Sequence, residues 1–562
     1  MSTGEIIVNA LKNMGFYVVA DREYPSLITG GHACFTINIS DAPIHSLREK
    51  ADVLMAMDNF SINAYTDSLK DDGVLVHGSG RIISAKESLA KAEEREIKIV
   101  SDDARVIAQK EGGSSLMKNV VLIGMLWKTL GFDYRFIEDE VNRKFASKPK
   151  LLEIDLRCLK KGFEAVETIG DPSIPDSNEL DRSPQKIMLD GNKALALGAI
   201  HAGCRIYYAY PMSPASSVLT YMATFANETK MLVKQVEDEI SVVNMTLGSM
   251  FMGTRALCAT SGGGYDLMTE TVSLAGMIEN PLVVIVAQRP GPATGLPTWT
   301  AQGDLNLAVH SAHGEFPRIV IGVSGPQDSF ELIQHAFNLA EKYQTPVIVL
   351  TEKVIAESKW TVPPFDQNTV KIERGLVEGK DLENLSNEDR YKITEDGLSK
   401  RWLPGSSSAF YHANSDEHLE DGSLTEDGEL TGKMIAKRMK KMKLIDAALP
   451  DPEIYGDPEG ADISFVGWGS TKNTALDIIE IYSKKGIKVN YLHYSYLYPL
   501  KTAAAETFFE KNGNVFLAEG NYQGQLGVML EAAGLKFKDK LLKYNGRPFF
   551  LEDFENFINE NL

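Results

Sequence analysis

Cysteine is scarce and scattered: four in 562 residues, Cys34, Cys158, Cys204 and Cys258, with no C-x-x-C pair. That excludes a self-contained iron–sulfur module and argues against a disulfide framework. Long apolar runs are missing as well. Nothing approaches the ~18 apolar residues of a membrane span, and the longest core-like runs, such as 281–287, are strand length. No basic segment followed by an apolar run opens the chain, so a reducing cytoplasm is the default compartment. Basic side chains are in deficit, 58 Lys and Arg against 77 Asp and Glu, a formal charge of −19. A field of that sign repels phosphate backbones, so nucleic acid is not an expected partner. It suits an acidic electron carrier no better; such a carrier would dock locally or on another subunit. G-x-G-x-x-G is absent too, which disfavours a nicotinamide dehydrogenase.

What is present reads as a multidomain α/β protein. The length implies three or four domains. Short β-branched runs alternate with helix-length amphipathic segments, the pattern of parallel sheets. A first piece, 1–170, holds strand-like segments at 16–20, 34–39, 53–57, 73–77 and 96–100. Turn formers at 170–178 close it. A second, 186–362, places strands at 205–209, 254–259, 282–288, 318–321 and 347–351. An irregular connection, 363–458, has one helix around 433–445; a compact α/β domain, 459–562, follows, with strands at 463–467, 488–492 and 514–519.

Three loops of the second piece stand at carboxyl ends of strands, where open α/β sheets bind ligands. In Tyr210-Pro211-Met212-Ser213-Pro214 two prolines stiffen the backbone around a serine. Alone, this is also a plain turn whose next helix is capped by Ser216 or Ser217. Downstream, Val233, Val236, Ile240, Val243 and Leu247 follow a 3-4-3-4 spacing and predict one buried helical stripe. Glu239 lies at its margin, either a solvated flank residue or a semi-buried acid with a raised pKa. Then a strand runs into Ser261-Gly262-Gly263-Gly264, open to close approach of a cofactor or a facing backbone. Finally, prolines and glycines between Arg289 and Thr298 shape a loop around one arginine, whose planar fork suits a carboxylate.

Together these segments resemble the α subunit of the 2-oxoacid:ferredoxin oxidoreductases. That family's Tyr-Pro-Ile-Thr-Pro, Glu-Asp-Glu, Thr-Ser-Gly-Gly-Gly and Arg-Pro-Gly-Pro-Ser-Thr-Gly-Leu-Pro-Thr motifs appear in order from Tyr210 to Thr298, with small substitutions. Gln302-Gly303-Asp304-Leu305 and the segments 467–471, 519–526 and 543–549 continue the likeness. The resemblance implies a pyrimidine-type thiamine-diphosphate domain followed by a transketolase-C-like domain. It implies that Tyr210, Pro211, Glu239, Ser261, Gly262 and Gly263 bind the cofactor, with Glu239 at the pyrimidine N1′. Arg289 would grip the substrate carboxylate, with Ser213 and Thr298 donating hydrogen bonds. Ser213 replaces the family's threonine, which puts side-chain selectivity in question.

The same resemblance implies that a separate β subunit supplies the diphosphate side, Mg²⁺ and a [4Fe–4S] cluster. No Gly-Asp-Gly with a following Asn-Asn occurs in this chain, so it is expected to be inactive alone. The expected reaction is the coenzyme A-dependent oxidative decarboxylation of a 2-oxoacid (EC 1.2.7 class), with electrons passing to ferredoxin and 2-oxoglutarate favoured ahead of pyruvate. Tyr24-Pro25-Ser26-Leu27-Ile28-Thr29-Gly30-Gly31 resembles the family's Rossmann-like γ domain. Gly30 and Gly31 would then serve coenzyme A, or simply form a tight turn with positive φ. The opening residues read like those just after that domain's Gly-rich loop, so its first strand is expected to be missing, through a start placed too late rather than through decay of the domain. Two other readings stand beside this one: an aryl-oxoacid (indolepyruvate-type) member, and a noncatalytic scaffold subunit.

Overall fold

A computed structural model describes residues 2–26, 31–80, 82, 84–170, 174–175 and 179–562. Most of the turn-rich stretch 170–178 and the glycine at 30 lie outside these. Among the described residues, no helix is long and apolar enough to cross a membrane. The chain forms two compact units: Met1–Met188 with Lys359–Pro364 and Phe550–Glu552, and Leu189–Ser358 with Phe365–Phe549 and Asp553–Leu562.

In the first unit the opening helix, Ser2–Met14, buries Ile7, Leu11 and Met14. The strands fall close to the segments read from sequence, but they split between two sheets. Ala51–Ala56, Leu69–His77 and Lys98–Ser101 form a parallel three-stranded sheet. Tyr17–Glu23 instead pairs antiparallel with both Cys34–Ser40 and Lys359–Val362. Parallel pairing does not hold throughout, because a strand more than three hundred residues downstream supplies one of its neighbours, as in Val19 opposite Trp360.

The second unit is built on a seven-stranded sheet. Its parallel strands are β1 (Ile206–Ala209), β2 (Leu232–Gln235), β3 (Ala256–Thr260), β4 (Leu282–Gln288), β5 (Ile319–Gly322) and β6 (Pro346–Glu352). Their spatial order is β5-β6-β4-β3-β1-β2, and Tyr496–Tyr498 adds an antiparallel edge beside β5. Every residue of β4 is buried. Val283, Ile285 and Ala287 face one layer, while Leu282, Val284 and Val286 face the other. Each Val, Leu or Ile among them contributes roughly 1.5–3 kcal/mol on burial.

Helix α1 (Ser216–Thr229) packs on the first face through Val218 and Met222. Helices α2 (Glu239–Phe251) and α3 (Gly262–Met277) pack on the second through Val242, Val243, Leu247, Met268 and Val272. The connections from β1 and β3 therefore leave the sheet on opposite faces, which opens a crevice between the carboxyl ends of these neighbouring strands.

One sequence expectation fails here. Val233 belongs to β2, paired with Tyr207, and not to a helix. Asp238 ends the extended segment by accepting the Ser241 amide at 2.7 Å, so the helix starts at Glu239. Ile240 consequently points outward and is 48% exposed. The apparent stripe joined a strand to a helix. Its true inward face is Glu239, Val242, Val243, Thr246, Leu247 and Met250.

Residues 365–449 form few regular elements besides Gly428–Ala448, and this helix is tied to the sheet by buried charge. Lys437 and Lys441 contact Glu279 at 2.5 and 2.8 Å. Arg255, Arg374 and Arg401 converge on Glu341. The last part carries a five-stranded sheet centred on Ile463–Trp468.

Candidate functional site

The polar groups at the crevice come from the turns that end β1, β2, β3 and β4. Glu239, the first residue of α2, is 5% exposed, and its Oε1 has no hydrogen-bond partner. The hydroxyls of Thr260 and Ser261, at the end of β3, are buried and equally without partners. Burying an unmatched acceptor costs on the order of 1–3 kcal/mol. Buried polar groups left unmatched at neighbouring strand ends mark a place shaped for a ligand.

Glycines make the cluster possible. A Cβ on Gly264 would lie 2.0 Å from Thr260 Oγ1 and 2.8 Å from Glu239 Oε1, so only glycine lets these two groups meet. On Gly262 it would strike the Asp304 carboxylate at 2.6 Å. Gly263 is different: nothing lies within 4 Å and the residue is exposed, leaving room for a ligand.

The arginine loop closes the other side. Arg289 Nη1 donates to the Ser213 carbonyl at 2.8 Å, joining the turns after β4 and β1. Burial lowers the guanidinium's pKa, and the neighbouring Asp304 opposes that shift. Tyr210 and Pro211 are exposed on the rim, while Thr298 is buried. The helix after β1 is not capped by a serine: Ala215 occupies the cap, and Ser217 Oγ accepts a hydrogen bond from Asn192 at 2.7 Å. Gly31 adopts φ +86°, the conformation a tight turn needs; Gly30 lies outside the described residues.

Two contributors carry no role in the sequence reading. Gln302 is buried; its amide donates to Glu352 at 3.0 Å and to the Trp468 carbonyl at 2.8 Å, and its oxygen accepts from Gly520 at 2.6 Å. Asp304 precedes the short helix α4 (Leu305–His310), its amide held by Gln288 Oε1 at 3.0 Å. Their only sequence signal is the Gln302-Gly303-Asp304-Leu305 string following the arginine loop.

Residues 197–434 match the family model described as pyruvate flavodoxin/ferredoxin oxidoreductase, thiamine diphosphate-binding. Residues 1–165 match pyruvate ferredoxin/flavodoxin oxidoreductase. The 2-oxoacid:ferredoxin oxidoreductase subunit alpha of a Sulfolobus species is 31% identical, over 99% of this chain and 94% of that protein. The chain belongs to the 2-oxoacid:ferredoxin oxidoreductase α-subunit family.

Other members agree with this assignment. The 2-oxoglutarate oxidoreductase subunit KorA of Mycobacterium tuberculosis is 28% identical, over 100% of this chain and 89% of its own. The 2-oxoglutarate:ferredoxin oxidoreductase of Magnetococcus marinus, solved with 2-oxoglutarate, coenzyme A and succinyl-CoA bound, superposes with a TM-score of 0.91. It is 29% identical, over 100% of this chain and 97% of that one. The α-subunit family is an oxidoreductase family of the EC 1.2.7 type, and the thiamine-diphosphate-binding match spans the loops that follow β1, β2, β3 and β4.

Proposed function

We propose that this chain is the γα-fused subunit of an enzyme that oxidatively decarboxylates a 2-oxoacid with coenzyme A, 2-oxoglutarate first and pyruvate second, and passes electrons to ferredoxin. The observation that carries the reading is the unpartnered Glu239 carboxylate oxygen close to the unpartnered Thr260 hydroxyl, with a second unpartnered hydroxyl on the next residue, Ser261, and Arg289 on the loop of a neighbouring strand. A buried acid beside two hydroxyl groups fits the polar edge of an aminopyrimidine ring. When bound, thiamine diphosphate supplies the nucleophilic carbon and the electron sink for decarboxylation.

The chain's own part is to hold a proton, position the substrate and exclude water. Glu239 carries a proton at the pyrimidine N1′ position, where one acid suffices. Thr260 and Ser261 satisfy the other polar atoms of that edge, and exposed Gly263 lets the ligand lie against the backbone. Arg289, anchored on the Ser213 carbonyl, presents its fork to the substrate carboxylate. The Ser213 and Thr298 hydroxyls stabilise the oxygen where charge develops.

The cleft rim also exposes large apolar side chains: Tyr210 39%, Ile240 48%, Leu267 52% and Leu296 45%. All four follow carboxyl ends of the parallel strands, and a patch of this kind marks an interaction face. We assign it to the β subunit, which would bring the diphosphate site, Mg²⁺ and the [4Fe–4S] cluster. Coenzyme A enters as co-substrate, with Gly31 as a candidate contact.

The test is Arg289→Ala in the complex reconstituted with its β subunit, assayed by viologen reduction across 2-oxoacids. The expected result is a KM at least tenfold higher for the preferred 2-oxoacid. Unchanged turnover and KM would leave this chain a scaffold.

A further inference from the structure

The turn after β1 is held from two sides. Arg289, on the loop after β4, grips the Ser213 carbonyl. The next carbonyl, that of Pro214, accepts from Asn192 Nδ2 at 2.9 Å, and the same nitrogen donates to Ser217 Oγ at 2.7 Å. Asn192 comes from another element, the helix Gly191–His201. Asp190 caps that helix, accepting the Lys193 amide on Oδ1 at 2.8 Å and the Tyr221 hydroxyl of α1 on Oδ2. A glycine seats this first turn: a Cβ on Gly191 would lie 2.5 Å from the Ile355 carbonyl oxygen and 2.8 Å from Ile355 Cγ2. Asn192 is therefore fixed against the backbone that follows β6 before it reaches across to the turn after β1.

The residue type is informative. Asn192 is fully buried, and a peptide carbonyl can only accept, so the amide nitrogen must face Pro214. Its Oδ1 is then buried with no hydrogen-bond partner. A stranded acceptor is unfavourable, so the position is not tuned for stability alone. What it secures is the pair of donations.

We propose that Asn192 is a positioning residue for substrate recognition: by fixing the Pro214 carbonyl and the Ser217 hydroxyl, it sets where the Ser213 hydroxyl stands against the oxygen on which charge develops. This rests on Ser213 being a substrate contact. Asn192 acts through geometry alone; no proton or electron moves. Arg289 cannot do this by itself, because one hydrogen bond to one carbonyl leaves the peptide free to swing about that contact. A second bond, on the next carbonyl and from a different element, removes that freedom. The gain is in rate, since misplacing a reacting contact by about 1 Å costs up to about 100-fold.

The experiment is a double-mutant cycle in the complex reconstituted with its β subunit and cofactor, with kcat/KM for the preferred 2-oxoacid read by viologen reduction. Asn192→Leu, which keeps the shape and loses both donations, is expected to lower kcat/KM about tenfold. In the Ser213→Ala background the same change should cost less than about twofold, because the hydroxyl it positions is gone. An Asn192 that only held the fold together would reduce active enzyme equally in both backgrounds. Losses that multiply therefore overturn the proposal, as does an Asn192→Leu complex with wild-type kcat/KM. Should that variant fail to assemble, Ser217→Ala, which removes one of the two acceptors without adding bulk, takes its place in the cycle. A loss of about threefold is then expected with Ser213 present and none in the Ser213→Ala background; equal losses in both, or no loss in either, overturn it. Ser213→Ala by itself separates the two layers. Unchanged kcat/KM there removes Ser213 as a substrate contact and this proposal with it, whereas a loss that multiplies with that of Asn192→Leu removes Asn192 alone.

Discussion

Two glutamates of the same unit, Glu239 and Glu279, are buried under opposite conditions. Glu279 is fully enclosed and met by Lys437 at 2.5 Å and Lys441 at 2.8 Å, with Arg390 donating to its backbone carbonyl at 2.8 Å. Burial alone would raise its carboxyl, but Lys437, Lys441 and Arg390 outweigh that and hold it well below the usual carboxylate range. Glu239 is 5% exposed, and one of its oxygens faces nothing that can donate. A charge placed for architecture is answered within the chain. The Glu239 oxygen, by contrast, is left without an answering group in the chain.

That contrast can be broken at either end. Glu239→Gln should lower turnover of the assembled complex about 10³-fold, the scale of a lost acid–base group. Its melting temperature should hold or rise, because an unmatched buried carboxylate has been removed; a variant that melts early and keeps its activity would reverse the roles. Glu279→Gln should do the converse. Stranding two lysines costs about 3–5 kcal/mol, read as a lower urea midpoint. The sign in pH follows from the lowered carboxyl. Its contribution is complete above the unfolded value, about 4.3, and fades as the pH falls toward the folded one. The variant should therefore lose part of the wild type's acid sensitivity.

The glycine loop sharpens the comparison at smaller scale. Gly264→Ala drives a methyl into Thr260 and Glu239, which should cost about 1–3 kcal/mol of stability along with cofactor binding. Gly263→Ala meets nothing nearby, so stability should stay within about 0.5 kcal/mol. Thiamine diphosphate affinity alone should drop, as measured by titrating the cofactor into the apo complex.

Much of this was legible in the residues. The loops around Ser213, Ser261 and Arg289 were placed at carboxyl ends of strands by hydrophobic patterning alone, and that is where they stand. Patterning failed where a strand and a helix happened to continue each other's spacing, from Val233 to Leu247. Sheet pairing of Leu232–Gln235 with its neighbour decided that segment, and no local signal carries such information. The mixed pairing of Tyr17–Glu23 was hidden for the same reason, since its partner comes from Lys359–Val362. Asp304 has no assigned role in the sequence, and only the fold brings Gly262 against it. Long-range contact, and not composition, sets which acids matter.

One detail of the arginine loop reaches further than its size. The guanidinium is moored to the peptide oxygen of residue 213 and not to its side chain. Exchanging serine for threonine there would leave the mooring intact and alter only the wall beside it. A change at this position that keeps a hydroxyl therefore reshapes the surface there without moving Arg289.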